Sequence, residues 1–278
     1  MKDRLSVSVI VPVHNRCQFL HEALESVRRQ QYEPLEILIV DDGSTDDVKT
    51  CVLSYPWPIH YMRQDHRGPA AARNAGIRST QGDLIAFLDN DDLWTAFHLD
   101  RLTGCLEANP AIQIAQGQIR NFRDSERGRF WCSPCYYLAS LPSAIYRRDV
   151  FHTVGMLDES LQFGEDSDFF VRCWEHNINK VKVEYLSLLY RRHRQNMTAN
   201  KNLRELGLVR IYRNRRDRIE QGLCKPRPAP LGLMRDYLGE SPPAYDDGTC
   251  EPVDEALLGR HLPGREHGTG DFGNHSCL

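Results

Sequence analysis

Four times within the first 108 residues, a short apolar run gives way to a segment of helical spacing. Residues 6–13 (SVSVIVPV) are apolar and β-branched and run into a polar loop, which predicts a buried strand. Phe19, Leu20, Ala23, Leu24 and Val27 then recur at helical spacing. Residues 35–40 (LEILIV), 59–62 and 84–88 (LIAFL) predict three further strands. Helical segments fall at 46–54, 69–78 and 96–108, and Pro69 stands where a first helical turn accepts proline. Connections this short leave no room for separate domains. The alternation predicts an α/β fold, a mainly parallel sheet flanked by helices. In such sheets ligands bind beyond the carboxyl ends of the strands. The polar clusters lie there: Val13-His14-Asn15-Arg16, then Asp41-Asp42, then Asp89-Asn90-Asp91-Asp92.

The second half is less regular. Residues 112–119 and 181–190 predict strands, 144–146 a short apolar piece, and 147–154 a helix. Residues 166–175 predict a helix with Phe169, Phe170, Cys173 and Trp174 on one side. Residues 120–136, charged and aromatic, are expected to form a long loop. Residues 225–278 hold 7 of the 15 prolines and 8 of the 19 glycines. That excess of breakers predicts one folded domain over 1–222 and a loosely ordered Pro/Gly-rich tail over 223–278.

Charge and cysteine content narrow the function. With 35 basic and 38 acidic residues the net charge is −3, which argues against a nucleic-acid binder. Nine cysteines, an odd and scattered set with no secretory signal before them, predict free thiols in a reducing, cytoplasmic setting. No apolar run approaches the ~20 residues that span a bilayer. The chain is expected to be soluble or peripheral to a membrane.

Three carboxylates within four residues, Asp89, Asp91 and Asp92, repel one another unless a cation sits among them. Hard divalent cations, Mg²⁺ or Mn²⁺, favour such oxygen ligands beside a substrate phosphate. An acidic turn capping the next helix is the plainer alternative. Asp42 can bond a ribose hydroxyl or a base N–H, or serve a turn. Arg73, early in its helix, can face a diphosphate or a base, or solvent. Glu165 and Asp166 open a helix, where the helix dipole favours acids, or one of them acts as general base. His193, flanked by Arg191, Arg192 and Arg194, suits a diphosphate and its metal. Cys132 and Cys135 have the spacing of a zinc half-site, but no second pair matches it. Residues 191–218 carry ten Lys or Arg with interleaved apolar residues. That pattern fits a helix packed on the core, or a basic amphipathic helix on an anionic membrane.

Taken together, these residues resemble the family 2 glycosyltransferases, inverting enzymes with the nucleotide-sugar-binding fold known as GT-A. The resemblance rests on five motifs in family order: residues 8–15 (SVIVPVHN), 39–46 (IVDDGSTD), 68–74 (GPAAARN), 86–94 (AFLDNDDLW) and 154–159 (VGMLDE) running into Gly164-Glu165-Asp166. It covers about residues 5–195. It implies a nucleotide-sugar donor, a UDP-sugar first, and a saccharide or lipid-linked acceptor. It implies that Pro12 and Val13 line the base pocket beside Asn15, that Asp42 holds uracil or ribose, and that Arg73 reaches the base or diphosphate. Asp91 and Asp92 would meet ribose and a Mn²⁺ or Mg²⁺ ion, with Asp89 beside them and His193 as a further contact. Asp166, next to Glu165, would be the general base. His14 stands where the family usually has Tyr or Phe. Two other classes compete with this reading: a nucleotidyltransferase and a non-catalytic nucleotide-sugar binder. The first usually needs a Gly-rich loop after the first strand, which residues 12–16 lack, and the intact acidic motifs argue against the second.

Overall fold

The computed structural model describes residues 4–124, 130–197, 207–223, 234–239 and 251–253. The four predicted strands form as β1 (Val7–Val13), β2 (Glu36–Asp42), β3 (His60–Gln64) and β4 (Leu84–Phe87). Between and after them lie α1 (Cys17–Arg28), α2 (Val48–Leu53), α3 (Pro69–Ser79) and α4 (His98–Ala108). β1 pairs in parallel with β2 and β4, and β2 with β3, so all four carboxyl ends share one rim. Every residue of β1 is buried, as a strand covered on both faces must be. Its side chains alternate between two core layers. Val9 and Val11 meet Leu20, Leu24 and Leu102, whereas Ile10 meets Ala72, Phe87 and Phe170. Gly76 of α3 lies so close to the Ile10 side chain that any Cβ would clash, and this close approach seats α3 on the sheet.

The second half adds β5 (Leu93–Trp94), β6 (Ile114–Asp124), β7 (Phe130–Cys132), β8 (Ala144–Arg147), β9 (Lys180–Arg191) and β10 (Glu251–Val253). It also adds α5 (Asp149–Val154), α6 (Glu165–Glu175), α7 (Leu208–Glu220), α8 (Met234–Leu238) and a 3₁₀ turn, Leu141–Ser143. Among the described residues the sheet runs β10-β7-β6-β8-β4-β1-β2-β3, with β9 beside both β6 and β5. Its first four strands are parallel; β8, β7 and β10 join antiparallel.

Three expectations change. The predicted loop at 120–136 contains the end of β6 and all of β7; residues 125–129 lie outside the described set. Hydropathy hides this pairing because polar residues in it are buried and satisfied. The Tyr136 hydroxyl donates to Asn121 Oδ1 (2.7 Å), and Gln116 Nε2 donates to the Leu138 carbonyl (2.6 Å). Of the predicted tail, most residues lie outside the described set, but α8 and β10 are elements of the fold. The basic run 191–218 is only partly helix, since α7 starts at Leu208 and residues 198–206 are not described. Two of its arginines face inward onto acids of α6: Arg218 Nε donates to Glu175 Oε2 (2.8 Å), and Arg215 pairs with Glu175 (3.3 Å). Among the described residues no helix is long and apolar enough to cross a membrane.

Candidate active site

The first strand ends are tied together by their own polar atoms. Asp42, 2% exposed at the end of β2, fills both carboxylate oxygens. Oδ1 accepts from Gln64 Nε2 (2.7 Å) and the Arg67 amide (2.9 Å). Oδ2 accepts from the Gly68 amide (2.8 Å) and faces His66 Nδ1 (2.8 Å). Asp42 thereby fixes the loop that leads into α3. Asp41 plays a similar part. Burial alone would raise its carboxyl, but the donors Ser44, Tyr61 and Arg63 outweigh that and hold it below the usual carboxylate range. Asn15, in the left-handed region at φ 60°, braces the β1 loop against the β2 loop. Its Oδ1 accepts from the Thr45 amide (2.8 Å), and its own amide donates to Ser44 Oγ (2.8 Å). The His14 ring stacks on His66 at 4.0 Å, and its Nδ1 bonds the Asp42 carbonyl (2.8 Å). Pro12 and Val13 are buried, and Val13 belongs to the core cluster with Leu20 and Leu24. The Val13 side chain therefore faces the core.

At the end of β4 the carboxylates meet residues from two other segments, the loop after β1 and the end of β9. Asp91 Oδ2 accepts from Arg16 Nη1 (2.8 Å) and lies 3.0 Å from His193 Nε2. Asp92 Oδ1 accepts from the Arg191 amide (2.8 Å), and Arg191 Nε donates to the Asp91 carbonyl (3.0 Å). Asn90 Nδ2 reaches the Asn15 carbonyl (3.1 Å), joining this cluster to the first. Asp92 is 1% exposed, and its Oδ2 is buried with no hydrogen-bond partner. Burial, with Asp91 and Asp89 beside it, pushes the Asp92 carboxyl well above the ordinary range. An enclosed, unpartnered oxygen beside a second carboxylate fits a hard divalent cation, and His193 reaches that second carboxylate, Asp91. Arg16, sitting on Asp91, already supplies positive charge there. A second group, His14, Asp42 and His66, brings three ligand atoms within 4.8 Å of one another. Asp42 already accepts three hydrogen bonds, so a cation there would have to sit between the oxygen that faces His66 and the imidazole nitrogen, in place of a proton.

Arg73 joins the end of β4 to the start of α6. It is buried in α3, with Nη2 on Asp89 Oδ1 (2.5 Å) and Nη1 on Glu165 Oε1 (2.8 Å). Burial opposes its charge, but Asp89, Asp166 and Glu165 outweigh that and push its pKa up. Arg73 is thus bound into the acidic cluster and is not a surface arginine. Asp166 follows Glu165 in the first turn of α6 and is half-buried. Its Oδ2 accepts from the Leu141 amide (2.9 Å), while Oδ1 is enclosed without a partner. Burial pushes its carboxyl up to about 7; Arg73 pulls it down, Glu165 and Asp89 push it up, and the Leu141 amide pulls it down. That value suits a group that must accept a proton near neutral pH.

The structure thus brings Asp89, Asp91, Asp92, Arg73, Glu165, Asp166 and His193 to one rim, with Asn15 and Asp42 at its β2 side. Sequence reasoning missed Arg16, His66 and the Leu141 amide as contributors. Arg16 had a signal, since it follows the first strand directly. The other two act through contacts that no local spacing reveals. Cys132 is buried in β7, and Cys135 Sγ accepts from Arg120 (3.2 Å). Among the described residues both are free thiols.

Comparison with known proteins gives the family and the fold. A glycosyltransferase from Rickettsia felis, itself uncharacterized, is 49% identical over 147 residues, 52% of this chain and 23% of that protein. The match therefore spans under a quarter of that relative's length. Among solved structures, residues 1–349 of S. aureus TarS in complex with UDP-GlcNAc align with a TM-score of 0.59 at 19% identity. That alignment covers 72% of this chain and 62% of the other. The mannosyltransferase PcManGT from Pyrobaculum calidifontis, in complex with GDP-Man and Mn2+, aligns with a TM-score of 0.56 at 17% identity. It covers 85% of this chain and 69% of the other. At such identities the likeness shows a shared fold. The model of the family "Glycosyl transferase family 2" matches residues 8–161, the stretch that carries β1 to β4 and Asp89 to Asp92; Glu165, Asp166 and His193 lie beyond it. This chain belongs to glycosyl transferase family 2.

Proposed function

We propose that the protein transfers a sugar from a nucleoside-diphosphate donor, a UDP-sugar first among candidates, to an acceptor hydroxyl with inversion at the anomeric carbon. The observation that carries this reading is the enclosed, unpartnered Asp166 Oδ1, poised near pH 7 beside Arg73 and Glu165. Asp166 takes the proton from the acceptor hydroxyl. The acceptor oxygen forms its bond to the anomeric carbon as the bond to the diphosphate oxygen breaks on the opposite face. The electron pair of that bond leaves with the diphosphate. Asp91, Asp92 and His193 would hold a Mn²⁺ or Mg²⁺ ion, which when bound would neutralise charge growing on the departing diphosphate. Arg16 and Arg191 hold those carboxylates in place. Asn15 and Asp42 shape the nucleoside end. Arg73 holds Glu165 and Asp89 in place, and so sets the field that Asp166 feels. Solved structures of the same fold hold UDP-GlcNAc and GDP-Man, which supports a nucleotide-sugar donor.

The catalytic domain is proposed to span residues 1–222, with α8 and β10 packed onto it. A saccharide or lipid-linked acceptor fits this arrangement. α7 presents Val209, Tyr212 and Ile219, each exposed, beside the exposed Arg213 and Arg216, and exposed Leu223 follows just after it. Such a face suits the surface of an anionic membrane. Liposome co-sedimentation that disappears at high salt is the expected result, and binding unchanged by salt would count against it. The donor is tested by a thermal-shift screen over nucleotide sugars with Mn²⁺, since a ligand held only by the folded state raises Tm. A shift with UDP-sugars supports the reading; no shift with any nucleotide sugar contradicts it.

A further inference from the structure

We infer that the C-terminal segment 234–239 is a strap that positions Asp166, acting through the backbone of residues 137–143. The inference rests on the reading of Asp166 as the general base. Two independent attachments carry it. The first is Gly239, which forms an antiparallel bridge with Leu138 at φ +97°. A Cβ at Gly239 would collide with the Tyr137 carbonyl and crowd the Leu138 amide, so only glycine lets the two backbones approach. The second is Lys180. Its ammonium donates to the Tyr237 carbonyl and to Gln116 Oε1 (2.7 Å), and lies 4.7 Å from the centre of the Tyr237 ring. Gln116, fully buried, passes the link on: its Nε2 donates to the Leu138 carbonyl (2.6 Å) and to Ser143 Oγ (3.0 Å).

The segment held from both sides is therefore the one whose Leu141 amide donates to Asp166 Oδ2. The strap also grips α6 directly. Tyr237, 6% exposed, packs in the core cluster with Phe170, Cys173 and Trp174 of α6, and its hydroxyl donates to the Ile178 carbonyl (3.0 Å). One short segment thus fixes both the helix that carries Asp166 and the amide that orients its carboxylate. These attachments of the strap lie on residues 137–138, Lys180, Ile178 and α6, so its effect should fall on turnover and spare nucleotide binding. Gly239, Tyr237 and Lys180 are positioning residues.

The test uses the full-length protein and three variants: Gly239→Ala, Lys180→Met, and Arg235→Ala as a control on the exposed face of α8. Hydrogen exchange is read across residues 137–143, turnover as UDP released from UDP-N-acetylglucosamine, and binding as the thermal shift given by UDP with Mn²⁺. The expected result is exchange at 137–143 at least about tenfold faster in Gly239→Ala and Lys180→Met, with exchange in β1 and β4 unchanged. Turnover should fall on the order of 100-fold with the UDP shift retained, and Arg235→Ala should match the parent on every count. Unchanged exchange at 137–143 would overturn the proposal, as would equal loss of turnover and UDP binding. Near-normal turnover in Asp166→Asn would instead sink the general-base reading, and the exchange result would still decide whether the strap holds 137–143.

Discussion

The two ends of the rim differ in how their polar atoms are treated. Around Asp42 and Asn15, donors and acceptors are matched one to another, and Asp42 alone takes three donors and faces His66 Nδ1. Around Asp92 and Asp166, buried polar atoms are left open: Asp92 Oδ2, Asp166 Oδ1 and Arg73 Nε have no partner. Buried polar groups are nearly always paired, so an orphan marks either strain or a place for something that comes and goes. The matched end is a preformed mould, and the open end is where charge and protons move. Each variant below tests that division.

The largest effect is expected from Asp166→Asn, which removes the open oxygen's basicity and keeps its shape. A general base contributes roughly 100- to 10,000-fold, and acceptor-dependent release of nucleoside diphosphate should fall by that factor. Arg73→Met comes next. It leaves Glu165 and Asp89 without their cation, at a cost of about 3 kcal/mol, read as a fall in Tm on the order of 10 °C. An unchanged Tm would mean that Arg73 does not hold the two halves of the rim together. Asp92→Ala should weaken Mn²⁺-dependent nucleotide affinity by roughly 10- to 100-fold; affinity that stays the same would remove Asp92 from the metal site.

The pH profile follows from the sign of the Asp166 shift. Its carboxyl is raised to about 7, and only the deprotonated form accepts a proton. Below that value turnover should fall about tenfold per pH unit, and above it the rate should level off. Arg73, Glu165 and Asp89 face this group. A flat profile between pH 5 and 7 would contradict the assignment. The smallest effect is expected from His14→Phe. It loses one hydrogen bond to the Asp42 carbonyl and keeps a ring against His66, so nucleotide Kd should change by less than about tenfold.

The same contrast explains what the sequence revealed. β1, β2 and β4 were legible because their apolar runs are buried on both faces, and each run stops at a polar cluster on the rim; β3, partly exposed at the sheet edge, was legible from the alternation around it. The acidic pairs Asp41-Asp42 and Asp91-Asp92 were visible as contiguous motifs. Glu165 and Asp166 were visible only as a helix start. What gives them their environment, Arg73 from 92 residues away and the Leu141 amide from 25 residues away, belongs to long-range packing. The end of β6 and all of β7 were read as loop because that stretch is polar, yet Asn121 is buried there and accepts from the Tyr136 hydroxyl. The role of α8 was hidden for a different reason. Its five residues lie in a stretch whose composition predicts disorder, yet Tyr237 is buried against α6.

The central claim is that the matched end binds nucleotide and the open end transfers sugar. Its most direct test compares Asp42→Ala with Asp166→Asn, reading the thermal shift from UDP with Mn²⁺ and the acceptor-dependent release of nucleoside diphosphate side by side. The prediction is a crossed result: Asp42→Ala loses the shift, and Asp166→Asn keeps the shift and loses the release. Near-normal release by Asp166→Asn, or loss of both readings together in that variant, would contradict it.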